Sequence, residues 1–380
     1  MKEIGIYIHI PFCKKKCYYC DFVSYEKKIE LVDKYIKCLL FEITQVAEGI
    51  KLDKKNLKIK TIYIGGGTPS FIDEKYIQQI LQTIFKNYSV ENNVEITIEV
   101  NPGTITKEKL QIYKQSGINR LSIGMQSTDD KILKQIGRIH NFEQFLDTYK
   151  LAREIGFSNI NVDLIIGLEN QNIEEELQKI IKLKPEHLSI YSLIVEENTP
   201  LYYMIQNKKY KLPAEETERN MYWKVKNELE RNGYQHYEIS NFAQNGFESK
   251  HNLDCWHQKE YIGFGVAAHS YTDKCRYSNI VNIEQYIENF KKEKEEDNIQ
   301  INEIQDKTSQ AKEYILLNLR TIKGCNIEGF YRKFGYDLEK GFSQELEKLK
   351  NNQLIIIENG YIHLTNKGID LANIVWQEFI

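Results

Sequence analysis

Three cysteines, Cys13, Cys17 and Cys20, stand in one short loop with the spacing C-x3-C-x2-C. A short apolar strand, Ile4 to Ile10, leads into Pro11 just before them, and the proline stops the strand from continuing. Three thiolates this close can converge on one metal centre. A structural zinc site takes four protein ligands, and so does an electron-transfer iron–sulfur cluster. Three cysteines on a cubic four-iron cluster leave one iron open, where a substrate or cofactor can bind. Zinc held with His9 or a distant histidine is the competing reading of the cysteines.

Other segments carry groups able to act on a ligand. Gly65-Gly66-Gly67-Thr68-Pro69 sits between a strand and a helix, where glycines let backbone amides approach a ligand closely. A plain tight turn is the bland alternative. Glu99 ends an alternating strand, Val94 to Glu99, and alone reads as a solvent-facing charge. Asp163 is flanked by apolar residues; a buried charge needs a partner, so a ligand hydroxyl or a nearby arginine is expected. His251 stands in His251-Asn252-Leu253-Asp254-Cys255-Trp256, either hydrogen-bonded in a loop or free as a neutral imidazole for a metal.

The elements that must position these residues alternate. Strands are predicted at 4–10, 61–64, 94–100, 119–124, 160–166 and 187–193. Helices are predicted near 28–48, 74–87, 106–116, 129–136 with 142–156, and 173–183, the first from helical spacing of Leu31, Tyr35, Leu39 and Ile43. Such alternation predicts a parallel sheet with helical crossovers. Six units fall short of a closed eight-fold barrel, and periodicity leaves an open barrel and a doubly wound sheet as alternatives. The cysteine loop, the glycine turn, Glu99, then Ser122, Gly124 and Gln126, and finally Asp163 fall on five successive strands. In parallel β/α folds chemistry collects at the C-terminal strand ends, which puts these groups on one rim.

Beyond about 200 the alternation stops. A helix is predicted at 214–232, a strand at 234–240 and an irregular aromatic-rich segment at 241–283, with a solvated, charged boundary at 291–297. Helices at 308–321, 326–333, 338–351 and 366–378, with a hairpin of 353–357 and 361–364 around Asn359-Gly360, suggest a winged-helix-like module. Its candidate recognition helix carries Glu339, Glu345 and Glu347 beside its lysines, which argues against nucleic acid. The expected organisation is 1–200, 201–290 and 300–380.

The motifs resemble the radical S-adenosylmethionine (SAM) enzymes, whose C-x3-C-x2-C loop holds a four-iron cluster with SAM on its open iron. Y-I-H-I-P-F-C-x3-C-x-Y-C-D-F resembles the HemN-like subgroup, which contains oxygen-independent coproporphyrinogen III oxidase and the HemW heme chaperones. The resemblance implies an open, partial β/α barrel of about six units with a smaller C-terminal α+β domain. It implies SAM contacts at Tyr7, Tyr19, Gly66, Gly67, Thr68, Glu99, Gln126, Arg138 and Asp163; Tyr19 could instead simply cover the cluster. Reduction of SAM by the cluster would give methionine and a 5′-deoxyadenosyl radical. Phe22 stands where HemN enzymes have a fourth cysteine, and the chain begins almost at its first strand; both follow the HemW pattern. His251-Asn252-x-x-x-Trp256 resembles the HemW segment implicated in heme binding, with Cys255 in place of a tyrosine, either neutral or an added thiolate. The function implied is heme binding and transfer to respiratory acceptor proteins, with peripheral membrane association and monomer or homodimer left open. A coproporphyrinogen III dehydrogenase and a HemN-like radical SAM methyltransferase are the alternatives.

Composition agrees. The chain has 380 residues, 41% of them hydrophobic, enough for one large domain and a smaller one. A net charge of −3 gives no reason to expect nucleic acid. Seven cysteines, three clustered and four scattered, are not a secreted disulfide framework. No basic-then-apolar leader and no run of eighteen apolar residues is seen, so a cytoplasmic protein is expected.

Overall fold

The computed structural model describes residues 2–49 and 57–380. Six strands, β1 (Lys2–Ile10), β2 (Leu57–Gly66), β3 (Val90–Val100), β4 (Arg120–Gln126), β5 (Ile160–Ile166) and β6 (His187–Ser192), run parallel in that spatial order. Helices Val32–Gly49, Glu74–Asn87, Lys107–Gln115, Phe142–Glu154 and Ile173–Leu183 lie between them in sequence. The outward face of the strands is aliphatic. Ile6, Ile8, Ile62, Ile64, Ile96, Ile98, Leu121, Ile123, Val162, Leu164, Leu188 and Ile190 are buried with helix residues such as Leu39, Ile80, Leu110, Phe145 and Ile180. Each such side chain stabilises by roughly 1.5–3 kcal/mol on burial.

The alternate residues build a different inner face. The register aligns Gly5 with Thr61 and Glu95, Tyr7 with Tyr63 and Thr97, and Glu99 with Ser122, Asn161 and His187. A closed β/α barrel normally fills its interior with branched apolar layers. Here the interior is polar, which suits a barrel built around ligands.

The sheet does not stop at β6. Residues 234–240 do not form one strand: β7 (Gln235–Glu238) and β8 (Asn241–Ala243) form a hairpin that pairs antiparallel with β6. The segment expected to be irregular carries a helix, Lys250–Trp256, and strands β9 (Tyr261–Phe264), β10 (His269–Thr272) and β11 (Cys275–Asn279). β9 joins β1 in parallel on its free side. The charged run at 291–297 leads through a short 3-10 turn into β12 (Ile299–Ile304), which pairs with β11. The twelve-stranded order β12-β11-β10-β9-β1-β2-β3-β4-β5-β6-β8-β7 has two ends, so the barrel is open.

The C-terminal part has its own core, from Ala311 and Ile315 through Phe330, Phe334 and Leu349 to Phe379. It is winged-helix-like: helices around a three-stranded sheet of β13 (Cys325–Asn326), β14 (Ile355–Glu358) and β15 (Tyr361–Leu364), in the order β13-β15-β14. The helices predicted at 338–351 and 366–378 each break once, at Phe342 and Leu371. Among the described residues no helix is long and apolar enough to cross a membrane.

Candidate functional site

The cysteine loop is pinned at both ends. Tyr25 N donates to Pro11 O at 2.8 Å and Cys13 N to Tyr25 O at 3.1 Å. His9 braces it: one ring nitrogen bonds Val23 O at 2.8 Å and the other meets the Tyr7 hydroxyl at 3.0 Å. With both nitrogens engaged, His9 has none left for a zinc ion. A third support is Gly137, where a Cβ would fall 2.8 Å from the Tyr18 ring.

The glycine turn docks onto this loop. Gly67 N donates to Ile10 O and Thr68 N to Phe12 O, both at 2.9 Å, while Gly66 N donates to the Glu99 carboxylate at 3.1 Å. The amides expected to face a ligand are therefore already used, which leaves carbonyl oxygens as this turn's offering. Gly66 has φ +113, and a Cβ at Gly67 would meet Phe12 O at 2.9 Å and Cys13 Sγ at 3.0 Å.

A cavity of about 500 Å3 opens above these loops. Cys13, Cys17 and Cys20 line it, together with Tyr19, Gly66, Gly67, Thr68, Glu99, Gln126, Arg138 and Asp163. Gln126 reaches it through a bulge at the end of β4, with a left-handed φ of +70. Such strained non-glycine backbone costs roughly 1–3 kcal/mol and clusters at functional sites. Arg138 donates to Gly124 O at 2.7 Å and to Cys17 Sγ at 3.4 Å; its buried Nε has no partner among the described residues. Thr68 Oγ1 donates to Cys13 Sγ at 3.4 Å.

Glu99 is not a solvent-facing charge. It accepts from Tyr63 OH at 3.0 Å as well as from Gly66 N. Burial, with the charge of Asp163 second, pushes its carboxyl up to about 7. Asp163 is also raised by burial, to about 6; hydrogen bonding from Asn161 and the charges of Arg120 and Arg138 oppose the shift. Asn161 Nδ2 donates to Asp163 at 2.6 Å. Two carboxyls held up mainly by burial in one cavity would ionise more readily beside a cationic ligand. Burial likewise raises the Cys13 and Cys20 thiols, the latter to about 11. Three thiols on one pinned loop, with a guanidinium and two carboxyls facing them, fit a metal cluster that carries a zwitterionic, cationic ligand.

Tyr7 is the exception among the predicted residues. It lines a second cavity of about 540 Å3 with His9, Tyr63, His251, Cys255, Tyr261 and His269, among others. Tyr63 lines both cavities, as Asp21 and Phe22 do; its ring lies 6.3 Å from Tyr7 and 5.3 Å from His251. It went unrecognised in the sequence because a tyrosine in Thr61-Ile62-Tyr63-Ile64 reads as core. The available signal was its place two residues before Gly65, on the same strand face.

His251 lies on the Lys250–Trp256 helix, buried, with Nδ1 bonded to Thr61 Oγ1 at 2.9 Å. Its Nε2 has no hydrogen-bond partner among the described residues. Burial, then the charge of Arg120, lowers it to about 4, so the ring is neutral near pH 7. The buried Glu95 carboxylate accepts from Lys250 N and His251 N, both at 3.1 Å, and so fixes the start of the helix. Trp256, at the other end, lies against Arg320, whose guanidinium is 4.4 Å from it and 4.8 Å from Trp376. The tryptophan of the motif thus docks the C-terminal part rather than facing the cavity.

Comparison with known proteins shows the family. Residues 7–183 match the radical SAM superfamily and residues 305–371 the HemN C-terminal domain. A Lactococcus lactis protein named heme chaperone HemW is 36% identical over 100% of this chain and 98% of its own length. A Bacillus subtilis protein of that name is 37% identical over 98% of each. The Escherichia coli protein so named is 37% identical over 71% of this chain and 70% of its own. The solved structure of coproporphyrinogen III oxidase (HemN) from Escherichia coli superposes with a TM-score of 0.85 over 100% of this chain and 90% of that one. At 23% identity it shares the fold. With relatives matching from end to end, the chain belongs to the HemW family of the radical SAM superfamily.

Proposed function

We propose that this protein is a heme chaperone of the HemW type, which binds a four-iron cluster and SAM in the first cavity and heme in the second. The supporting observation is the convergence of three cysteines and eight further predicted residues on one cavity wall. Cys13, Cys17 and Cys20 would hold the cluster. Arg138 suits the carboxylate of SAM; Glu99, Asp163 and the carbonyls of the glycine turn suit its positive groups. Gln126 and Tyr19 add a hydrogen-bonding and an aromatic surface. When bound, the cluster supplies one-electron reduction of a sulfonium; the protein orients the ligands and shields them from solvent.

The second cavity falls within the roughly 300–1,000 Å3 of small-molecule and cofactor sites, and His251 offers it a neutral imidazole. Heme held there would pass to an acceptor protein, in keeping with the name heme chaperone borne by the relatives; a respiratory acceptor is our own reading. Tyr7, expected at SAM, is instead assigned to the wall of the heme cavity.

The test is anaerobic. Protein with iron and sulfide restored is offered heme, or coproporphyrinogen III with SAM and a reductant. Stoichiometric heme uptake without protoporphyrinogen formation is expected; turnover of the porphyrinogen would overturn the assignment. A His251→Ala variant is expected to lose heme, and full retention would remove that residue from the site.

A further inference from the structure

Two elements line the second cavity, and the His251 ring itself rests on the sheet, bonded to Thr61 Oγ1 at 2.9 Å and 5.3 Å from the Tyr63 ring. The Lys250–Trp256 helix contributes His251, Asn252 and Cys255. The inner face of the sheet contributes Tyr7, Tyr261, His269 and Ser278 from β1, β9, β10 and β11. Tyr7 pairs with Gly263, and the antiparallel register places His269 beside that glycine. Two strand spacings, about 10 Å, therefore separate the His269 backbone from that of Tyr7. Gly263 has no side chain, and a Cβ there would come 2.2 Å from His269 O, so this part of the floor stays flat.

Few groups in this slot are free to bind a metal. Both His9 nitrogens are engaged, and the Tyr7 hydroxyl is held by one of them. His251 has Nε2 left over. Cys255 is one helical turn further on, so it shares the wall of His251 and would compete for the same side of a bound iron. A second ligand must therefore come from the β9 to β11 side of the cavity. There His269 is exposed at the rim, and its ring makes no hydrogen bond among the described residues.

We propose that His269 is the second axial ligand of a planar iron porphyrin in this slot, opposite His251, and that its place at the rim makes it the ligand released first when the porphyrin leaves. This rests on the heme reading above. His251 is buried and anchored to Thr61, so it holds the iron from inside, while His269 can exchange with an imidazole or thioether of an acceptor.

Hemin added to the full-length protein provides the test. The wild type is expected to give a low-spin, six-coordinate absorption spectrum. His269→Ala should still take up hemin but give a high-spin, five-coordinate spectrum. It should also lose hemin to excess apomyoglobin about tenfold faster, equivalent to roughly 1.4 kcal/mol. His269→Met, which offers a thioether instead, should restore the low-spin form. A five-coordinate wild type, or a His269→Ala spectrum identical to it, would overturn the assignment while leaving heme binding intact. Hemin uptake that is absent, or indifferent to His251→Ala, would overturn the heme reading itself.

Discussion

The central residue is Glu99, whose carboxyl is held up by burial and by Asp163. A raised carboxyl in the folded state means the folded protein binds that proton more tightly than the unfolded chain. Stability contributed by the protonated form is complete below the ordinary carboxylate range and is lost as pH rises towards about 7. Glu99→Gln should therefore raise the Tm of ligand-free protein at pH 8, with the gain shrinking to nothing near pH 4, as scanning calorimetry would show. The stabilisation is on the order of a few kcal/mol, at about 1.4 kcal/mol per pKa unit. The same change should weaken SAM binding at pH 8, measurable by titration calorimetry, because the anion proposed to face the sulfonium and ammonium is gone. The cysteines and glycines were legible in the sequence because their spacing is chemical. Tyr63 and Glu95 were not, since a tyrosine or glutamate within an alternating strand has the same local pattern whether it faces solvent, core or ligand.

At the scale of elements, two contacts decide whether the sites form. The glycine turn leaves no room for a side chain beside Cys13, so Gly67→Ala should push the cysteine loop away. The expected result is a folded protein that retains little iron after anaerobic reconstitution, read by metal analysis; full iron content would contradict the packing argument. The His251 helix depends on Glu95. Glu95→Ala leaves the buried His251 amide unpaired, at about 1–3 kcal/mol, along with the more exposed Lys250 amide, and should lower heme affinity while iron content stays unchanged. The six parallel strands could be read from sequence because each alternates over five or more residues. β8 to β11 could not, and β7 was read only as part of a longer strand. They are three to five residues long, too short for a period to show, and their pairing is fixed by distant partners, as when β9 adds to β1. The charged run at 291–297 looked like a boundary because its side chains are solvated, yet the next strand still joins the sheet.

The whole molecule joins an open barrel with a polar interior to a C-terminal part that packs against the Lys250–Trp256 helix. Arg320 between Trp256 and Trp376, with the Arg276–Glu313 pair at 2.5 Å, ties the two together. Arg320→Ala removes two cation–π contacts, each roughly 0.5–2 kcal/mol, and should lower Tm and loosen heme while sparing the cluster. The reading proposed for this arrangement is that three thiolates hold a cluster whose remaining iron is open to SAM. Electron paramagnetic resonance of the reduced, anaerobically reconstituted protein tests it most directly. A four-iron signal that shifts when SAM is added, and is absent from a Cys17→Ala variant, is the predicted result. Zinc in the loop, or a cluster signal indifferent to SAM, would contradict it.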